Sequence, residues 1–128
     1  MSEDQIALYI LMATIVGWYI WSKIRPPSKD KNLHHISDEA KISAHEHFEK
    51  VLIANKDFEN QKLLEEYAAL VKEEVQSILM YFESTKFEDV QEVERRAIYW
   101  MNWSKYYMGK TKRMVNKHGF KVVKFEAK

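Results

Sequence analysis

From Ile6 to Ser22 the chain reads IALYILMATIVGWYIWS, seventeen residues without a formal charge, and from Ser37 onward apolar residues return only at helical intervals among many charges. The first block is bounded by Glu3 and Asp4 on one side and by Lys23 and Arg25 on the other. As a helix it covers roughly 26 Å at ~1.5 Å per residue. Adding Gln5, Lys23 and Ile24, of which Gln5 and Lys23 have polar ends that snorkel, brings it near the ~30 Å of a hydrocarbon core. The expected element is therefore a short transmembrane helix, residues 1–24 forming an N-terminal tail and anchor. A buried core helix of a soluble protein is the alternative for a run of this length. The aromatic flank, the charge asymmetry and the Pro26-Pro27 stop favour the membrane.

Tyr9 near one end and Trp18, Tyr19 and Trp21 near the other stand where amphipathic rings settle, at the two headgroup levels. The same bulky residues fill the place where a cleavable signal needs small ones, so the run reads as an uncleaved anchor. Lys23, Arg25, Lys29 and Lys31 all follow the run, whereas acidic residues precede it. The positive-inside rule then places everything after the run on the cytoplasmic or matrix side. Ala13 and Gly17 lie one turn apart, a small-xxx-small pair that lets another membrane helix come close.

Residues 25–37, RPPSKDKNLHHIS, hold both prolines and no helical periodicity, which predicts an extended linker. Ser37 is placed to cap a helix that begins with Asp38 and Glu39 and runs to about Asn55, with Ala44, Phe48, Val51 and Leu52 as its apolar stripe. Asn55-Lys56-Asp57 is the expected break. Next, Leu64, Ala68, Val71, Val75, Ile78 and Phe82 recur at spacings of 4, 3, 4, 3 and 4, a coiled-coil-like seam reaching about Glu83. Tyr67, Leu70, Leu79 and Tyr81 widen it, so this helix needs more than one neighbour. Thr85-Lys86-Phe87-Glu88 matches a capping box and predicts the start of a third helix. Gly109 weakens that helix and His118-Gly119 ends it. The reading for 38–118 is a three-helix domain, and 119–128 is expected to be a basic, extended tail that orders only on a partner.

Charge adds a polarity that the overall value of +1 conceals. Between Asp38 and Arg96 there are 15 acidic and 8 basic residues, a net of −7, while Lys105 to Lys128 holds 8 basic residues and only Glu126, a net of +7. The basic end is also rich in rings. Trp100, Trp103, Tyr106 and Tyr107, with Lys110, Lys112, Arg113, Lys117, Lys121 and Lys124, are the candidate contacts to a partner or to anionic lipid. Pairing with the domain's own acidic helices, or simple solvation, is the alternative use of these cations. No RNA-binding motif accompanies them, so nucleic acid is not an expected partner.

Nothing in the chain names a reaction. His34, His35, His45 and His47 fall within fourteen residues, but two histidines two apart on a helix point about 200° from each other and cannot share an ion. They read as exposed histidines, and no metal, cofactor or small-molecule substrate is expected. Glu65-Glu66 and Glu73-Glu74 read as a solvated face rather than catalytic pairs, and no phosphate loop or nucleophile elbow is present. Cysteine is absent, which fits a reducing compartment. In layout, with one uncleaved span, a Cys-free helical domain and a basic aromatic C-terminal region, the chain resembles the small accessory subunits of inner-membrane respiratory complexes and ATP synthases. That resemblance is architectural and assigns no residue a role. It implies a non-enzymatic subunit with other membrane subunits as partners, in the mitochondrial inner membrane with its domain in the matrix. The alternatives are a bacterial plasma membrane with the domain in the cytoplasm and, for function, a membrane-tethered adaptor that recruits an acidic protein or anionic lipid.

Overall fold

The computed structural model describes residues 25–126. The expected span, with Tyr9, Ala13, Gly17, Trp18, Tyr19, Trp21 and Lys23, lies outside those residues. Among the described residues no helix is long and apolar enough to cross a membrane, and there is no strand. The architecture is three helices: α1 (Asp38–Ala54), α2 (Gln61–Ser84) and α3 (Val90–His118).

Local chemistry sets the helix ends. The Ser37 hydroxyl accepts the Ala40 N–H at 3.2 Å and donates to Glu83 Oε1 at 2.8 Å, so the cap of α1 is also fastened to the end of α2. Asn60 caps α2 by accepting the Leu63 N–H at 3.2 Å. The expected capping box at Thr85 does not form. Thr85 closes α2 instead, its hydroxyl donating to the Phe82 carbonyl at 2.7 Å, and Asp89 caps α3 by accepting the Gln91 N–H at 3.0 Å. The Thr85 hydroxyl therefore serves the helix before it. Gly109 is an ordinary helical position with open space beside it. Gly119 ends α3 at φ +75°, where an L side chain is strained, and its N–H donates to the Val115 carbonyl at 2.8 Å.

α2 is the central helix. Both α1 and α3 pack against it, and no Cα of α1 comes within 8 Å of α3. The seam is buried from Leu64 through Ala68 and Val71 to Val75, then rotates: Ser77, Met80 and Ser84 are buried, whereas Phe82 at the expected seam position is 51 % exposed. A helix gripped from two sides buries a wider arc than a two-strand seam provides.

The segments flanking the helices complete the two halves of the core. Leu33 is buried, and His34 sits with ring centroids 5.0 Å from Trp100 and 5.5 Å from Trp103, so the end of the linker is packed rather than free. At the other end of the domain the expected free tail is docked on its own chain. Phe120 is buried between Tyr67 and Phe58, with centroids 4.4 Å and 4.3 Å away, and Val123 and Phe125 pack beside the same core. The buried side chain of Asn55 donates to the Lys121 carbonyl at 3.1 Å and accepts the Lys121 N–H at 2.7 Å, matching the tail's backbone as a strand would. Apolar burial plus this two-way clasp accounts for order without a partner.

Candidate functional site

α3 carries nearly all the candidate contact residues, and the structure sorts them by face. Trp100 and Trp103 point inward, 2 % and 3 % exposed, against Ala40 and Met80. These two rings form interior rather than surface, which corrects their expected role as partner contacts. Trp103 Nε1 is buried with no hydrogen-bond partner among the described residues. Tyr107 is half-buried, stacked on Trp103 at 5.6 Å, and its phenol pKa is pushed up to about 12 by burial and then by the neighbouring Glu73 carboxylate. It is a packing residue that stays protonated.

The outer side of α3 has a different character. Arg95, Tyr99, Asn102, Tyr106, Lys110, Arg113 and Lys117 follow one another at spacings of 4, 3, 4, 4, 3 and 4, which aligns them in one stripe along the helix. Tyr99, Tyr106 and Lys110 are half-exposed and the other four are exposed. Lys110 Nζ stands 4.9 Å from the centre of the Tyr106 ring, a cation held over an aromatic face. Arg95 pairs with Glu92 at 3.0 Å, but among the described residues none of the later cations of the stripe has a carboxylate within 4.0 Å. The same holds for Lys105 and Lys112 on the adjoining side of α3 and for Lys121 and Lys124 on the tail. Among the described residues, the cations after Arg96 are therefore not neutralised by ion pairs with the acidic helices.

The linker reaches this stripe at one edge. Lys29 Nζ lies 6.0 Å from the Trp103 ring, the Asp30 N–H points to the Tyr99 hydroxyl at 3.4 Å, and His34 Nδ1 is 2.5 Å from that same hydroxyl. Burial, with Lys29 nearby, holds the His34 pKa below its ordinary 6.5. Tyr99 is thus shared between the stripe and the chain that leads back to the apolar run.

Two further polar groups depart from expectation. His47, expected on an exposed face, is buried in α1 against the edge of Phe125 at 5.3 Å, and burial lowers its pKa despite a hydrogen bond with the Val123 backbone. Glu74, expected in a solvated pair, faces α3 and accepts the Thr111 hydroxyl at 3.2 Å. Burial raises its pKa, and the hydrogen bond only partly offsets that. His45 and Glu49 do form the exposed i,i+4 pair that a shared helix face permits, at 3.2 Å. Among the described residues no three His, Asp or Glu side chains converge as a metal site. A shallow groove of about 770 Å³ between α1, the end of α2 and the tail is lined by both signs of charge, with Glu39, Glu83, Lys50 and Lys124 around His47 and Phe125.

Among the described residues the geometry defines a small all-α domain with one basic, tyrosine-bearing helix face that the linker touches at Tyr99. No protein-family model, curated protein or solved structure matches the chain.

Proposed function

We propose that this chain is a non-enzymatic, single-span accessory subunit of a large membrane protein complex, of the respiratory-chain or ATP synthase class in the mitochondrial inner membrane, with its helical domain on the matrix side. The observation that carries this reading is the uncharged run Ile6–Ser22, with acidic residues before it and Lys23, Arg25, Lys29 and Lys31 after it. The fold adds support of a general kind. Ile42, Ile53, Phe82 and Val122 are large apolar side chains more than half exposed, available for contact with neighbouring subunits. Alkaline carbonate washing of membranes, followed by native-gel migration after mild detergent extraction, tests it. The chain should resist the wash and move only with a large assembly. Release as a soluble monomer overturns the reading.

The unneutralised cations on α3 and the tail favour a second reading, a membrane-tethered adaptor that gathers an acidic surface. In the same native gel an adaptor runs largely free of any large assembly.

A further inference from the structure

The stripe on α3 and the linker that touches it are constrained together, and the constraint has a length. From Ser22, the last residue of the apolar run, to Lys29 there are seven residue steps, which span at most about 25 Å even when fully extended. Lys29 is already against the Trp103 ring and Asp30 against the Tyr99 hydroxyl. Tyr99 belongs to the exposed stripe, so the stripe is held close to the point where the run ends. Where that run is anchored in a bilayer, this tether keeps one edge of α3 near the headgroups of the leaflet it leaves.

The chemistry of the stripe matches that location. No acidic residue occurs between Glu94 and Glu126, and Lys110, Arg113 and Lys117 have no carboxylate within reach among the described residues. Tyr106 presents a partly exposed ring with a hydroxyl tip, the type of side chain that settles at the membrane interface, while the Tyr99 ring is partly exposed with its hydroxyl held by the linker. From Arg95 to Lys117 the stripe runs about 33 Å as a straight helix, long enough to lie along a surface instead of touching it at one point. An acidic protein would satisfy the cations equally well, but the short tether singles out the surface from which the chain itself emerges.

We propose that α3 lies along the membrane plane, with the stripe from Arg95 to Lys117 resting on the anionic phosphate headgroups of the leaflet that Ile6–Ser22 leaves. This rests on Ile6–Ser22 being the anchor. It goes beyond that reading in fixing which face of the domain meets the bilayer and in identifying the ligand as anionic phospholipid. Removal of each cation from the stripe should weaken the contact about fivefold, and salt should weaken it too.

Because the chain contains no cysteine, single-cysteine labelling of the full chain reports the orientation directly. Asn102→Cys places a fluorophore on the stripe and Glu66→Cys places one on the exposed side of α2. The chain is reconstituted into phosphatidylcholine vesicles with or without phosphatidylglycerol, each carrying a headgroup-level quencher. The expected result is strong quenching at position 102 and little at 66, dependent on phosphatidylglycerol and reversed by high salt. The triple variant Lys110→Glu, Arg113→Glu and Lys117→Glu should abolish it, while Lys105→Glu with Lys112→Glu, off the stripe, should leave most of it. Circular dichroism confirms that the variants remain helical, and the salt titration of the unreversed chain needs no charge variant. Equal quenching at the two positions, or quenching indifferent to phosphatidylglycerol, in a carbonate-resistant chain overturns the orientation and leaves the anchor intact. Carbonate release overturns the anchor itself and the orientation with it. A photo-crosslinker at position 102 that captures protein rather than lipid in native membranes also overturns it, in favour of an acidic protein partner.

Discussion

The ring of Phe120 lies parallel to that of Tyr67, with centroids 4.4 Å apart and 1° between their planes, and this pair fastens the segment after α3 to the central helix. Both rings are almost fully buried, at 3 % and 2 % exposure. Phe120→Ala should therefore cost about 3 kcal/mol or more in urea unfolding, the usual loss for a large core ring. Val122→Ala, at an exposed neighbouring position, should cost almost nothing. Equal small effects would show that the tail is not part of the core.

Asn55 ties the same segment through hydrogen bonds, and the two directions can be separated. Asn55→Ala removes the acceptor for the Lys121 N–H and the donor to the Lys121 carbonyl, with an expected cost of about 1–3 kcal/mol. Asn55→Asp keeps only the acceptor and should fall between. Hydrogen exchange at the Lys121 amide should speed up strongly in the first variant and less in the second.

The start of α3 is assigned by Asp89 rather than Thr85. Asp89→Ala should destabilise the chain by about 1 kcal/mol, the ordinary value of an N-cap, and Glu88→Ala should have no measurable effect. A larger loss from Glu88→Ala would restore the capping box.

Acid should loosen the contact between α1 and the tail. Burial holds the folded-state pKa of His47 below its ordinary 6.5, so the unfolded chain binds the proton more readily. Stability is then full above about pH 6.5 and declines as the pH falls through the interval down to the lowered folded value. His34 shifts in the same direction and adds to the decline. Thermal midpoints measured downward from pH 7 should drop, and His47→Leu should flatten part of that slope.

Glu74 carries the opposite sign. Its folded pKa is raised above 4.5 by burial against α3, so its ionised form is a liability near neutral pH that diminishes as acid protonates it. Glu74→Gln keeps an acceptor for the Thr111 hydroxyl and removes the buried charge. The variant should be more stable than the parent at pH 7, with the difference shrinking toward pH 4.5. A less stable variant would mean that the carboxylate is favourably solvated where it stands.

Residues whose partners are close in sequence were the legible ones. Ser37 before two carboxylates, the Asn55 break and His118-Gly119 each mark a helix end through contacts within a few positions, and all three stand where the pattern puts them. Thr85-Lys86-Phe87-Glu88 failed although it is equally local, because one hydroxyl can serve either of two adjacent helices. Phe120, Asn55, His34 and His47 were missed as structural residues because their partners are 53 to 78 positions away in the chain. The apolar side chains at Phe120, Val123 and Phe125 were the available sign of a docked tail, interleaved with Lys121 and Lys124.

The sequence by itself determined the uncharged N-terminal run, the three helices and the separation of acidic and basic charge, since periodicity, capping and charge are properties of neighbouring residues. Only the tertiary structure decided which rings of α3 are interior, that the tail belongs to the core, and that Lys110, Arg113 and Lys117 lack acidic partners among the described residues. Those outcomes depend on which faces of α1 and α3 meet α2. A helical repeat fixes the faces a helix has, while burial against distant residues selects the ones it hides.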